Sequence, residues 1–106
     1  MENNLKYALH GKLQAQEGKG QELVQILLEA ANLMKTAEGC RLYVVGLQAE
    51  QPDDVWITEI WDSEAAHDAS LHVAGVRELI GRAIPLLKGS PEKGQSWQIL
   101  GGAGLD

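Results

Sequence analysis

Between Leu5 and Gln14 apolar and polar positions alternate. Leu5, Tyr7, Leu9, Gly11 and Leu13 share one side, and Lys6, His10, Lys12 and Gln14 share the other. That period of two predicts a strand. A glycine-rich turn, EGKG, follows, and the period then changes: Leu23, Ile26, Leu27, Ala30, Leu33, Met34 and Ala37 step by three and four, the spacing of an amphipathic helix packed on a sheet, with Gly39 as its stop. From Arg41 to Ala49, Leu42, Val44 and Gly46 alternate with Tyr43, Val45 and Leu47, which predicts a second strand with bulk on both sides. The segment EQPDD, with its proline and two aspartates, reads as a hairpin connection into a β-branched and aromatic strand over residues 55–61.

Asp62 or Ser63 is placed to cap a following helix, and Glu64 puts a negative charge in its first turn. The pattern predicts a short helix from Glu64 to Leu71, a break at Gly75, and a second helix from Val76 to Leu87. Val76, Leu79, Ile80, Ala83, Ile84 and Leu87 form the stripe of that second helix. Pro85 removes a backbone donor and should stop it soon after. Residues 88–94 read as a loop, Gln95 to Leu100 as a fourth strand containing Trp97, and the closing GGAGLD as a mobile end, like residues 1–4.

The order strand, helix, strand, strand, helices, strand is that of a split βαβ, ferredoxin-like α+β domain, with a four-stranded antiparallel sheet carrying its helices on one face. Strand 3 sets Val55, Ile57, Glu59 and Trp61 against Trp56, Thr58 and Ile60, so neither of its sides is polar. The uncovered sheet face is therefore expected to pack on a second copy, making a homodimer.

Composition narrows the functional classes. A chain of 106 residues is a single domain. Its net charge of −6 and its lack of a Lys/Arg cluster exclude binding to a nucleic-acid backbone or an anionic membrane surface. The lone Cys40 builds neither a disulfide framework nor a cysteine zinc site, and reads as a buried, inert thiol. No apolar run reaches the roughly 20 residues of a membrane span, and the opening MENNLKYALH lacks a signal peptide's basic and apolar regions, so the expected location is cytoplasmic.

The chemistry gathers around the junction of strand 3 with the next helix. Trp61, at the strand end, is placed either as a wall for a flat aromatic ligand or as a plain core residue. His67 lies one turn into the helix, with Ser70 and Leu71 on the same face, and is placed either as an exposed or structurally bonded histidine or as an imidazole that accepts a phenolic proton as a general base. His10 meets a ligand only if the polar face of strand 1 lines the pocket. Tyr43 joins it as a reserve pocket residue, although both it and Trp97 are most simply core or interface aromatics; His72 suits a surface or capping role. The spacing of five between His67 and His72 turns them apart on a helix, so no metal site is expected. No dinucleotide fingerprint, P-loop or nucleophile elbow is present.

The run EIWDSEAAHDASLHVAGVRELIGRAIPLL, with EGCRLY before it, resembles the antibiotic biosynthesis monooxygenase family, also called quinol monooxygenases. The resemblance spans Leu5 to Leu100, and its most specific part is Glu59, Trp61, Asp62, Ser63, Glu64 and Ala66. It implies a dimeric α+β barrel made from two ferredoxin-like sheets. The implied activity is oxidation of a small aromatic quinol or phenol by molecular oxygen with no flavin, metal or other cofactor. The family's pocket tryptophan matches Trp61, and its proton-handling aromatic six residues later matches His67. Its oxyanion-holding asparagine is replaced by Ile57, with Thr58 the nearest polar neighbour. In haem-degrading relatives the iron-ligating histidine and the helix tryptophan match Ile80 and Ser70, so haem chemistry is not implied. Two other classes stay open on the same fold: a non-catalytic small-molecule binding or stress-associated protein, and an isomerase or lyase.

Overall fold

The computed structural model describes residues 5–91 and 94–104; of the two ends read as mobile, residues 1–4, 105 and 106 lie outside the described residues. Four strands and three α-helices follow in the order β1 (Lys6–Gln14), α1 (Gly20–Met34), β2 (Cys40–Gln48), β3 (Gln51–Trp61), α2 (Glu64–Ser70), α3 (Val76–Ala83) and β4 (Gln95–Ile99), with a 3₁₀ turn at Ile84–Leu86. The strands form one sheet in the order β2-β3-β1-β4, every neighbouring pair antiparallel. This is the ferredoxin-like α+β fold that the element order predicts.

Register decides which side chains meet the helices. Leu13 stands opposite Val55, Gly11 opposite Ile57, Leu9 opposite Glu59 and Tyr7 opposite Trp61, and on the other side of β3 Tyr43 and Val45 stand opposite Glu59 and Ile57. These residues share the helix-covered face. There Leu23, Val55 and Trp61 are fully buried, with Ile26 and Leu27 of α1 and Leu79 and Ala83 of α3 packed close to them. The other face carries Ala8, His10 and Lys12 beside Ile60, Thr58 and Trp56, with Leu42, Val44 and Trp97 flanking them. Among the described residues no helix lies on that face, and Val44 and Trp97 are 49% and 44% exposed.

The segment read as a five-residue hairpin loop is mostly strand. Gln48 pairs with Gln51, so the turn is only Ala49-Glu50, and the register shift falls between Leu47 and Gln48. Pro52, which has no donor for a ladder, sits within this irregularity. The shift gives Asp53 a use that its turn propensity does not signal. Its carbonyl accepts from the Ala15 N–H at 2.7 Å, and its carboxylate accepts from the backbone N–H groups of Gly18 at 3.1 Å and Gly20 at 2.9 Å. Helix α1, whose own N-cap residue Lys19 makes no side-chain cap bond, is thus capped from β3. A Cβ on Gly20 would overlap the Pro52 carbonyl, so this close approach requires glycine.

Of the two residues placed to cap α2, Ser63 does so, its Oγ accepting from the Ala66 N–H at 3.1 Å. Asp62 pairs instead with Arg41 at 2.7 Å and Lys6 at 3.5 Å. Gly75, at a φ of 92°, makes the break before α3. The α-helical part of α3 ends at Ala83, two residues ahead of Pro85, and the chain tightens into the 3₁₀ turn, because the proline ring clashes with the preceding turn and offers no N–H.

Candidate functional site

Between the sheet and helices α1 and α3, with α2 at one end, lies a cavity of about 260 Å³. Its walls are mostly aliphatic: Leu13 and Ile57 from the sheet, Ile26 and Leu27 from α1, Leu79 and Ile80 from α3. Four polar side chains interrupt them, Tyr43, Glu59, His67 and Ser70. A wider depression of about 450 Å³ between α1 and β2 is open to solvent and lacks such a polar group of facing acid and base, so the smaller cavity is the better site.

Glu59 is the residue that the sequence reading did not assign a role. It stands on the helix-covered face of β3 between Ile57 and Trp61, and it is largely buried. The Trp61 indole N–H donates to its Oε1 at 2.9 Å, and the same oxygen lies 3.8 Å from His67 Nε2. Burial raises the Glu59 pKa above the ordinary carboxylate value, against the lowering effects of the Trp61 hydrogen bond and of charge on His67. The signal was legible: an ionisable residue at a position whose strand neighbours two steps away are apolar has no solvated face to occupy.

His67 is held from several directions. Its Nδ1 lies 3.1 Å from Asp68 Oδ1, and since a carboxylate only accepts, Nδ1–H is the donor, which in the neutral ring leaves the Nε2 lone pair toward Glu59. The ring meets Trp61 edge-on at 5.8 Å and Tyr7 at the same centroid distance. With 19% of its side chain exposed, His67 borders the cavity on one side and reaches the surface on the other, where it meets Asp68. Ser70 borders it too, but its hydroxyl donates to the His67 carbonyl at 2.5 Å, tying it to the helix backbone.

Tyr43 lines the cavity beside Glu59, and burial, reinforced by the Glu59 charge, pushes its phenol pKa up. Cys40 is raised for the same two reasons in the same order, so it is a poor thiolate. Trp61 itself does not line the cavity; it is fully buried behind Glu59 and His67. The wall expected of it is supplied by aliphatic residues, and Trp61 reaches the site through its N–H to Glu59 and its near-perpendicular ring contact with His67. His10 lies on the opposite, helix-free face, 2.8 Å from Thr58 Oγ1 and stacked on Trp56 at 5.1 Å, away from Tyr43, His67 and Ser70. The cause is register: His10 and Glu59 are one step out of phase, which places them on opposite faces of the sheet. Among the described residues no three His, Cys, Asp or Glu side chains gather closely enough to hold a metal ion.

Fold and site together define a small ferredoxin-like domain with a largely apolar cavity that carries an acid, an imidazole and a phenol. Residues 6–81 match the family model of antibiotic biosynthesis monooxygenase, and the chain belongs to that family. A solved structure from Chloroflexus aurantiacus J-10-fl, provisionally assigned as an antibiotic biosynthesis monooxygenase, is 36% identical with a TM-score of 0.84, over 95% of this chain and 99% of that one. One from Deinococcus radiodurans with the same provisional assignment is 27% identical with a TM-score of 0.70, over 94% and 96%. A conserved protein of unknown function from Bacteroides thetaiotaomicron VPI-5482 shares the fold at 18% identity and a TM-score of 0.78, over 92% and 100%. The curated proteins contain no match. No described helix is long and apolar enough to cross a membrane.

Proposed function

We propose that the protein is a monooxygenase that oxidises a small quinol or phenolic aromatic with molecular oxygen in this cavity, without a bound cofactor. The observation that carries the reading is the convergence of His67, Glu59 and Tyr43 on one end of an otherwise aliphatic cavity. A flat aromatic body buries itself against the aliphatic walls, and its hydroxyl meets the polar end. His67 Nε2 takes the phenolic proton, leaving an electron-rich ring whose carbon forms a bond to oxygen. The imidazolium returns its proton to the resulting peroxide. The O–O bond then breaks as the ring carbon loses its hydrogen, so one oxygen atom stays as a carbonyl and the other leaves as water. The substrate supplies all four electrons.

His67→Ala is expected to lower turnover by roughly 10²–10⁴-fold, the usual loss for a general base. Oxygen uptake and quinone absorbance across a panel of quinols measure it. No oxygen consumption with any quinol would remove the reading. Ligand binding without turnover is the second reading, and one observation favours it. Ile57 lines the cavity at the position where the family resemblance implies an oxyanion-holding asparagine. Ligand-induced stabilisation with no oxygen uptake would select it.

We also propose that two copies pair through their helix-free sheet faces, giving a dimeric α+β barrel. The support is the exposed apolar surface of that face, around Val44 and Trp97.

A further inference from the structure

The cavity's charge balance has a consequence for which ligands it accepts. Glu59 and His67 together are electrically neutral when they hold a single titrating proton beyond Nδ1–H, whichever of the two holds it, because a neutral acid faces a neutral imidazole or a carboxylate faces an imidazolium across 3.8 Å. The other groups facing Glu59 do not add a compensating charge. Tyr43 and Cys40 on β2 and Tyr7 on β1 all have raised pKa values, burial being the first cause of each, and stay protonated. Asp68, on the outer side of the imidazole, is itself an acid. Glu59 also borders a smaller recess of about 150 Å³ shared with His10 and Lys12, but the Lys12 ammonium is taken up by Asp54 at 3.9 Å and by the Trp56 ring at 5.9 Å. Among the described residues no lysine or arginine lines the main cavity.

We propose that Glu59 is the residue that sets ligand charge specificity in this cavity: its buried carboxyl, fixed by the Trp61 N–H and facing His67, admits neutral hydroxyl-bearing aromatics and rejects aromatic carboxylates of the same size. The proposal rests on the cavity's being the ligand site. A neutral hydroxyl leaves the proton count unchanged and finds both a donor and an acceptor at the polar end. A carboxylate adds a second negative charge in a place of low dielectric, and enters only when the site takes up another proton. Glutamine at position 59 keeps the size and can still accept from Trp61, but it removes the competing charge. Among the described residues lining the cavity, the incoming anion then meets no carboxylate.

The test compares 2-naphthol with 2-naphthoate by titration calorimetry on the full chain. The wild type at neutral pH is expected to prefer the naphthol by roughly 10²-fold, the scale of a like-charge clash in a desolvated site. Glu59→Gln should bring the two ligands to within about tenfold of each other. Equal affinities in the wild type overturn the proposal, and so does a folded variant that keeps the full preference. If the variant does not fold, the wild type alone decides: naphthoate affinity should rise as pH is lowered from neutral toward the ordinary carboxylate range, because burial raises the Glu59 pKa, while naphthol affinity stays level, and a flat naphthoate profile overturns the assignment. Binding of neither compound to either protein removes the cavity reading and the proposal with it. Discrimination without oxygen uptake supports the specificity assignment and removes only the proposed reaction.

Discussion

At the scale of single residues, the site is a case of stability set against use. Glu59 is an acid on a covered sheet face, where burial raises its pKa. The sign of the consequence is fixed by linkage. A carboxyl whose folded pKa lies above its unfolded value favours the folded state while protonated, and that contribution is lost as pH rises through the folded pKa. Glu59→Gln is therefore expected to be more stable than the wild type at neutral pH, with the difference closing as pH falls into the ordinary carboxylate range. Urea midpoints of both proteins measured across that interval check this, and a wild type that stays the more stable at neutral pH would contradict it. Trp61 is the opposite case, fully buried and bonded to Glu59. Trp61→Ala should cost about 3–5 kcal/mol in denaturant unfolding, and it also frees the Glu59 carboxyl. Sequence patterning placed Trp61 and His67 in one neighbourhood because both belong to a single strand-to-helix junction. It could not show that Tyr43, from a different strand, joins them while His10 does not. That depends on cross-strand register, which local pattern does not encode.

At the scale of elements, the position of His67 depends on a helix too short to hold itself. Helix α2 has seven residues, and an isolated helix of that length is marginal in water, so its cap and its packing decide whether it forms. The Ser63 hydroxyl is that cap, and Gly39, at a φ of 85°, lets the preceding chain run against Ala66. Ser63→Ala is expected to cost about 1 kcal/mol and to weaken activity further by loosening the His67 ring, which a comparison of thermal midpoint with turnover would show. A second element-scale device is the cap of α1 by Asp53. Asp53→Ala leaves the Gly18 and Gly20 N–H groups without their acceptor, and Gly20→Ala forces the helix end off the Pro52 carbonyl. Helix α1 was legible from its apolar spacing and α2 from its capping residue. The Asp53 cap was not, because PDD between two apolar runs carries the signature of a turn. Only the register shift beside Gln48 turns those residues into a strand that reaches across to α1.

At the scale of the whole molecule, the described helices cover one side of the sheet only, and the other side is not built like a solvated face. Ala8 is almost completely buried there by its own neighbours, Ile60 lies beside it, and Trp56 and Trp97 both approach the His10 ring. His10 and Thr58 satisfy each other at 2.8 Å, and Lys12 lies over Trp56, so these three polar side chains already find partners within the chain, beside the apolar residues of the face. Such a surface gains by meeting its own copy, because a two-fold axis brings the same patch onto itself. Light scattering at micromolar concentration should therefore give about twice the chain mass of 11.5 kDa. Val44→Glu tests the face itself. Val44 is 49% exposed, so the substitution is tolerated by the isolated chain, but in a pair of sheets it buries an unpaired carboxylate. The variant is expected to shift to the monomer mass and to keep its fold by circular dichroism. A variant that remains at twice the mass would exclude this face as the interface, and a wild type at the single-chain mass would exclude the pairing altogether.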